Sequence, residues 1–261
     1  MGQHVGIDGC RFGWVSVSED GNALTYRMHR TIRELLASYP QAAYLLVDIP
    51  IGLPWKNCPI RPCDAEARRI PGARRSSVFP VPCRHATRAT NIEDARRLNC
   101  DELDRSLSAQ SWAICKKIAE VDEVLLSDLE ARRKLREIHP EVCFWALNER
   151  QPLRHPKSSR GGLEERLSLL IRHVADARAL VDAAMSKQLR RDLKADDVLD
   201  ALAAFVVARA MPNQTETLQG SPSTDEKGLP MEMLYANPAA DGVTRSPGGG
   251  PASMYSRGKA P

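Results

Sequence analysis

The stretch VGIDG, residues 5–9, is the part of the chain that decides the fold. It is an apolar run of strand length that ends in glycine, and a turn at residues 9–12 leads into an alternating segment at residues 13–18. The sequence DGN at residues 20–22 is a hairpin signal, and residues 23–29 form a third strand-like segment. Period-two alternation is typical of strands, and Asp-Gly pairs favour tight turns. We therefore predict a three-stranded antiparallel meander at the start of the chain.

A second apolar run, LLVDI at residues 45–49, predicts the strand at the centre of the sheet. The run spans residues 43–49 without polar alternation, which indicates a strand covered on both faces. Before this strand, Thr31 can cap a short helix that ends at Tyr39, and Pro40 follows. Three antiparallel strands, a helix and a buried strand predict an α/β fold with a mixed sheet.

The remaining chain predicts an insertion, a helical region and a tail. We predict a single domain at residues 1–236, with an insertion at about residues 50–135 and a disordered Gly/Pro/Ser-rich tail at residues 237–261. Helices are expected at residues 64–69, 106–124, 128–135, 162–173, 175–189 and 196–211, and short strands at residues 136–144 and 231–235. Pro140 falls inside residues 136–144 and marks that segment as an edge strand or a bulge.

Composition and charge limit the class of protein. The 261 residues carry a formal charge of +4, which permits a polyanionic partner without requiring one. No apolar run approaches the roughly 20 residues that cross a bilayer. The first residues enter a strand-like segment rather than a secretory signal. We therefore predict a cytoplasmic protein without a membrane-spanning segment.

The seven cysteines are an odd number and argue against a disulfide framework. A zinc site built from Cys58, Cys63, Cys83 and His85 is conceivable, but the spacing is not that of a zinc ribbon or finger. The preferred interpretation is that these cysteines are small buried or loop thiols.

Aspartates in apolar runs are the strongest functional signal. Asp8, Asp48 and Asp200 each stand among apolar residues, and Asp197 lies three residues before Asp200, on the same face of a predicted helix. Burying an ionised carboxylate costs several kcal/mol unless something compensates its charge, and a bound cation does so. If the helix packs on the sheet edge that carries Asp8 and Asp48, its carboxylates join theirs. Hard oxygen ligands of this kind suit Mg²⁺ or Mn²⁺.

Each aspartate also has a structural interpretation. Asp8 precedes a glycine and is a possible turn former. Asp48 has no turn beside it until Pro50, so a buried salt bridge to an arginine is its best structural alternative. Asp197 lies near the start of a helix, where acidic residues interact favourably with the helix dipole and free N–H groups. That explanation does not extend to Asp200, one turn further along.

Seven collinear motifs resemble those of a family of predicted RNase H-like nucleases, domain of unknown function 429. The resemblance runs from Gly6 to about Tyr235, and its motifs are long enough to be specific. The motifs are GIDGCR (6–11), DIPIGLP (48–54), RPCD (61–64), SSVFP (76–80), HPEVCF (139–144), DDVLDA (196–201) and GLPMEM (228–233).

This resemblance implies a ribonuclease H-like fold with metal ligands on defined elements. By similarity to ribonuclease H and the Holliday-junction resolvases, Asp8 is the first-strand ligand, Asp48 the fourth-strand ligand, and Asp197 with Asp200 the pair on the final helix. Glu141, in the family's His-Pro-Glu motif, is a further catalytic candidate or an exposed acid at a strand end. The chain departs from ribonuclease H in lacking a clear helix glutamate.

The same resemblance suggests residues that contact substrate. Arg74, Arg75, Ser76 and Ser77 precede the motif VFP (78–80) and either contact phosphate oxygens or form a surface loop. Lys157 lies in a polar loop and either neutralises a substrate phosphate or is solvated. His139 either shuttles a proton or fixes the local structure by hydrogen bonding.

Together these features predict a nuclease that hydrolyses a phosphodiester bond of DNA or RNA by a two-metal-ion mechanism with Mg²⁺ or Mn²⁺. A second hypothesis is a non-catalytic binding protein that uses the same fold as a platform. A third is an ATP-dependent phosphotransferase of the sugar-kinase and actin type. The third requires a second similar half and glycine-rich nucleotide loops, neither of which the sequence shows.

Overall fold

A five-stranded mixed sheet forms the centre of the computed structural model, which describes residues 3–21, 23–70, 78–211, 213–221 and 223–236. The strand order is β3-β2-β1-β4-β5, with two antiparallel pairings followed by two parallel ones. The strands are β1 (Gln3–Gly9), β2 (Trp14–Asp20), β3 (Ala23–His29), β4 (Ala42–Val47) and β5 (Leu135–Glu137). This arrangement confirms the predicted fold class and is consistent with a ribonuclease H-like fold.

Helices lie on both sides of the sheet. The crossover from β3 to β4 is α1 (Ile32–Ser38), whose first turn is capped by Thr31 as the sequence predicts. Five helices occupy the long insertion between β4 and β5: α2 (Pro62–Ala67), α3 (Arg84–Thr87), α4 (Ile92–Leu103), α5 (Ala109–Ser127) and α6 (Leu129–Lys134). Four follow β5: α7 (Pro140–Leu147), α8 (Arg160–Ile171), α9 (Ala177–Lys187) and α10 (Ala195–Ala210).

Two short antiparallel pairs complete the described structure. They are formed by β6 (Thr215–Thr217) with β9 (Leu234–Ala236), and by β7 (Ser223–Thr224) with β8 (Pro230–Met231). The predicted tail at residues 237–261 lies outside the described residues.

The prediction of a strand over residues 136–144 is wrong beyond Glu137. Pro140 begins α7, and Glu141 lies in the first turn of this helix rather than at a strand end. The physical reason is that proline suits the first helical position, because its missing N–H is not needed there and its φ is already helical. The same proline is also compatible with an edge strand, so the sequence around Pro140 does not distinguish a strand from the start of a helix.

Alternation along β1 and β4 places the two strand aspartates on one face of the sheet. Leu45 and Val47 pack in the apolar cluster on one side, and Leu46 packs in the cluster on the other side, which contains α10. Since side chains alternate between faces, Asp48 follows Leu46 to the α10 side. Asp8 has the same parity as Gly6, which abuts α10.

Gly6 allows α10 to lie directly on β1. A Cβ atom at this position would lie 2.1 Å from Ala201 O and 2.1 Å from Phe205 N, so no larger residue fits without moving the helix. The helix contributes small side chains to the contact, including fully buried Ala201 and Ala204. This close packing brings Asp200 to the sheet edge where β1 and β4 end.

None of the helices in the described part of the chain combines the length and the apolar character needed to cross a membrane.

Candidate functional site

A cleft of about 370 Å³ lies at the carboxyl ends of β1 and β4. The amide of Asp48 donates to Ile7 O at 3.0 Å, which holds the end of β4 beside the end of β1. All five predicted catalytic acids and the predicted substrate-binding lysine line this cleft: Asp8, Asp48, Glu141, Lys157, Asp197 and Asp200. The structure therefore brings together residues that are separated by up to 192 positions in the sequence.

Asp8 is buried, with 7% of its surface exposed. Its Oδ1 accepts a hydrogen bond of 2.7 Å from the amide of Gly9, the last residue of β1. Burial raises the pKa of Asp8 well above its usual value, and repulsion from Asp48, Asp200 and Asp197 adds to this effect. One local hydrogen bond thus leaves this carboxylate in a strongly unfavourable environment for a negative charge.

Asp48 has no arginine ion-pair partner among the described residues, so its structural alternative is not supported. Burial raises its pKa, His139 and Lys157 act in the opposite direction, and Glu141 adds repulsion. Its negative charge is therefore balanced only by groups of the cleft itself.

Asp200 is the most deeply buried of the five predicted catalytic acids, with 1% of its surface exposed. Its Oδ2 accepts a hydrogen bond from Nζ of Lys157, which forms an ion pair with it. Its Oδ1 is also buried, and no described residue donates to it. Burial raises the pKa of Asp200 to about 7, despite the opposing attraction of Lys157. A buried carboxylate oxygen without a donor fits the chemistry of a cation ligand.

Asp197 has a structural role as well as a place in the cleft. Its Oδ2 accepts a hydrogen bond of 2.9 Å from the amide of Lys194, which is the N-cap residue of α10. The helix-start interpretation made from the sequence thus describes one of its oxygens. Burial still raises its pKa, although the Lys194 hydrogen bond opposes the shift.

Glu141 lines the cleft but is engaged in an ion pair. Arg166, which is 2% exposed, donates through Nη2 to Glu141 Oε1 at 2.5 Å and through Nη1 to Gly162 O at 3.2 Å. This pair links α7 to α8. The geometry assigns Glu141 first to holding these helices together.

The carboxylate oxygens of the cleft aspartates lie farther apart than the donor atoms of a closed three-ligand site. Of the residues that the structure describes, Cys63, Asp64 and Glu137 form the one set of three potential ligands whose donor atoms all lie within 4.8 Å. That set surrounds buried Arg61, which donates to Glu137 and lies 3.3 Å from Asp64 Oδ1. The guanidinium of Arg61 already supplies positive charge to the two acids of this set, Asp64 and Glu137.

Two cationic side chains of the cleft were missed from the sequence, Arg61 and Lys117. Lys117 donates to Gly13 O, and its Nζ lies 4.5 Å from the centre of the Trp14 ring. Burial lowers its pKa. Its position in a long helix next to Lys116 offers no sequence signal that distinguishes the two. Arg74, Arg75, Ser76 and Ser77 lie outside the described residues.

The conceivable zinc site is not assembled. Cys63 and Cys83 belong to different apolar clusters, and the exposed side chain of His85 contacts Glu102 at 2.8 Å. All seven cysteines are free in the structure. Cys63 and Cys83 are buried and Cys58 is half-buried, so the interpretation as buried or loop thiols holds.

The fold and the cleft define an α/β protein with a five-stranded mixed sheet and an acidic edge. A family model described as "Protein of unknown function (DUF429)" matches residues 6–226. The chain belongs to this family, whose description names no activity. Neither the curated proteins nor the solved structures contain a significant match to the chain.

Proposed function

We propose that the protein is a metal-dependent nuclease that hydrolyses phosphodiester bonds of nucleic acid. The observation that carries this proposal is the Oδ1 atom of Asp200, which is buried without a donor in a cleft that also holds Asp8, Asp48 and Asp197. Burial raises the pKa of each of these four aspartates. Bound divalent cations would supply the charge compensation that the described side chains provide only in part.

The four aspartates would hold Mg²⁺ or Mn²⁺ through hard carboxylate oxygens. When bound, two such ions provide Lewis acids for the attacking water and for the leaving oxygen of a phosphodiester. The protein contributes the positions of the ligands. Asp8 is fixed by the Gly9 amide at a strand end, and Asp200 is fixed by a helix that packs on Gly6. This mechanism requires no protein nucleophile.

Exposed arginines beside the site support a polyanionic substrate. Arg11 lies in the turn between β1 and β2, and Arg190 and Arg191 lie in the loop between α9 and α10. The two loops touch, since the amide of Phe12 donates to Asp192 O at 3.2 Å. The second loop leads directly into the helix that carries two cleft aspartates. These arginines would attract the phosphate groups of a substrate toward this edge.

Replacement of Asp48 by asparagine tests the proposal. Asp48→Asn removes one charged ligand at nearly constant shape, so Mn²⁺-dependent cleavage of oligonucleotides should fall at least about 100-fold with unchanged circular dichroism. Asp196→Asn is the matched control, because Asp196 lies on the same helix as Asp200 but does not line the cleft. Wild-type turnover by the Asp48 variant in a nuclease-free preparation would refute the assignment.

Two observations favour the alternative of a non-catalytic binding protein. Lys157 already balances Asp200, and the aspartates are not spaced as a closed ligand set. A binding protein would associate with oligonucleotides and yield no product when Mn²⁺ is supplied. Measuring cleavage and binding on the same preparation separates the two functions.

A further inference from the structure

Lys157 is the only side chain that donates to the carboxylate of Asp200 within the described chain. The Asp200 side chain is 1% exposed and that of Lys157 is 40% exposed, so the ammonium reaches from the cleft surface to a buried anion. Lys157 also attracts Asp8, Asp48 and Asp197, whose pKa values it acts to lower. One lysine thus supplies positive charge to all four cleft aspartates.

The loop that carries Lys157 is held against α8 by hydrogen bonds and by close packing. Pro156 O accepts hydrogen bonds from the amide of Ser159 at 3.0 Å and from its hydroxyl at 2.8 Å. A Cβ atom on Gly162 would lie 1.9 Å from Pro156 O, so the first turn of α8 packs against this loop only because position 162 is glycine. The position of the Lys157 ammonium beside Asp200 is therefore set by a loop that is fixed to α8.

A second set of contacts holds the residues just before Pro156 to the same helix, α8. Both oxygens of Glu165 accept backbone amides, from Arg154 at 2.9 Å and from His155 at 3.0 Å. These bonds hold the chain immediately before Pro156 on the surface of α8. Held to α8 at residues 154–156, the loop keeps Lys157 beside the aspartates.

We propose that Lys157 is a built-in cation that takes the place of one of the two divalent ions. The ammonium occupies Asp200 Oδ2 and repels a second divalent ion from this oxygen, whereas Oδ1 has no donor and is open to the first ion. The protein alone then binds one divalent ion tightly. The second ion reaches Asp200 after Lys157 has moved away, for example to a substrate phosphate. This inference rests on the proposed metal-dependent function.

Mn²⁺ titration tests the inference without measuring cleavage. Binding is followed by isothermal calorimetry and by the electron paramagnetic resonance signal of free Mn²⁺, on the full chain. Wild type should bind one ion tightly, and Lys157→Met should bind two, with affinity for the second raised at least tenfold. Lys157→Arg should resemble wild type, because it keeps the charge. Lys187→Met is the control, since Lys187 is exposed at the end of α9 and outside the cleft.

A second measurement covers the case in which Lys157→Met folds poorly, because it leaves Asp200 buried without its cation. Lys157→Gln keeps a hydrogen-bond donor without the charge, and its melting temperature should rise more on Mn²⁺ addition than that of wild type. Absence of Mn²⁺ binding in every variant would overturn the proposed function. Mn²⁺ binding with the same stoichiometry and affinity in wild type, Lys157→Met and Lys157→Gln would overturn the role of Lys157 alone.

Discussion

Asp200 gives one carboxylate oxygen to the ammonium of Lys157 and buries the other out of reach of every described donor. This carboxylate, with one of its two oxygens hydrogen-bonded, lies where α10, the ends of β1 and β4, and the Lys157 loop meet. Most buried side-chain polar atoms in proteins have a hydrogen-bond partner. The relationship between Asp200 and Lys157 is therefore the main support for the proposed cation site and for the proposed control of its occupancy.

The raised pKa of Asp200 predicts how stability depends on pH without metal. Burial, opposed by Lys157, raises its pKa from 3.8 to about 7. The folded state then holds a proton that the unfolded chain has already lost, so stability should fall as pH rises from about 4 to about 7. In Asp200→Asn this part of the slope should vanish. Urea denaturation of both proteins across that range checks the prediction, and equal slopes would contradict it.

Proton competition predicts the pH dependence of Mn²⁺ binding. Because burial keeps Asp8, Asp48 and Asp200 protonated to higher pH than usual, ion binding must release protons. Below pH 7 the Mn²⁺ dissociation constant should fall by up to about tenfold per unit increase in pH for each proton released. Calorimetry in buffers of different ionisation enthalpy measures the released protons directly. A dissociation constant that is flat from pH 5 to pH 7 would be inconsistent with these carboxylates as ligands.

Gly6→Ala tests the packing that sets the site. The new methyl group would overlap the backbone of α10 at Ala201 and Phe205, so the helix must move away from β1. We expect a loss of stability of ~3 kcal/mol, at the upper end of overpacking effects, together with weaker Mn²⁺ binding. Gly161→Ala is the control, since its nearest neighbour is the side chain of exposed His155, 3.1 Å away. Equal stability of the two variants would exclude the close packing of α10 on β1 at Gly6.

Arg61 is predicted to stabilise the floor of the cleft. Its buried guanidinium balances Glu137, whose pKa burial raises to about 8 against the attraction of Arg61. Arg61→Met should cost about 3–5 kcal/mol of unfolding free energy, because it leaves buried acids without their cation. The double variant Arg61→Met/Glu137→Gln should recover part of this loss. A double variant no more stable than Arg61→Met would argue against the pair.

Salt dependence tests the arginine-bearing loops as a nucleic-acid contact. Arg190→Gln/Arg191→Gln should weaken oligonucleotide binding and reduce the slope of log K against log salt by up to about 2. The control is Arg97→Gln/Arg133→Gln, which removes two exposed arginines from α4 and α6, outside the cleft. An unchanged slope in the first variant, measured by fluorescence anisotropy, would exclude these arginines.

The sequence predicts the first half of the fold well because its signals are local. Alternation, a hairpin turn and a capped helix define the region up to β4, and the apolar run at residues 43–49 marks the central strand. The insertion is less predictable. Helix α3 has four residues, and its buried Arg84 depends on Asp122 and Asp225, which are distant in the sequence.

The grouping of Asp8, Asp48 and Asp200 follows from their apolar settings, and Asp197 is added because it lies three residues before Asp200 on the same helix face. Their ion-pair partners do not follow. Lys157 lies 43 residues before Asp200 in a polar loop that resembles any solvated loop. Such pairings are set by tertiary packing, and a single sequence contains no periodic signal for them.

The most direct test of the proposed metal site is a crystal structure of the protein soaked in Mn²⁺, with data collected at the manganese absorption edge. We expect an anomalous peak in the cleft within ligand distance of Asp200 Oδ1 and of Asp8 or Asp48. A cleft without an anomalous peak at saturating Mn²⁺, with Lys157 still bonded to Asp200, would contradict the proposed site.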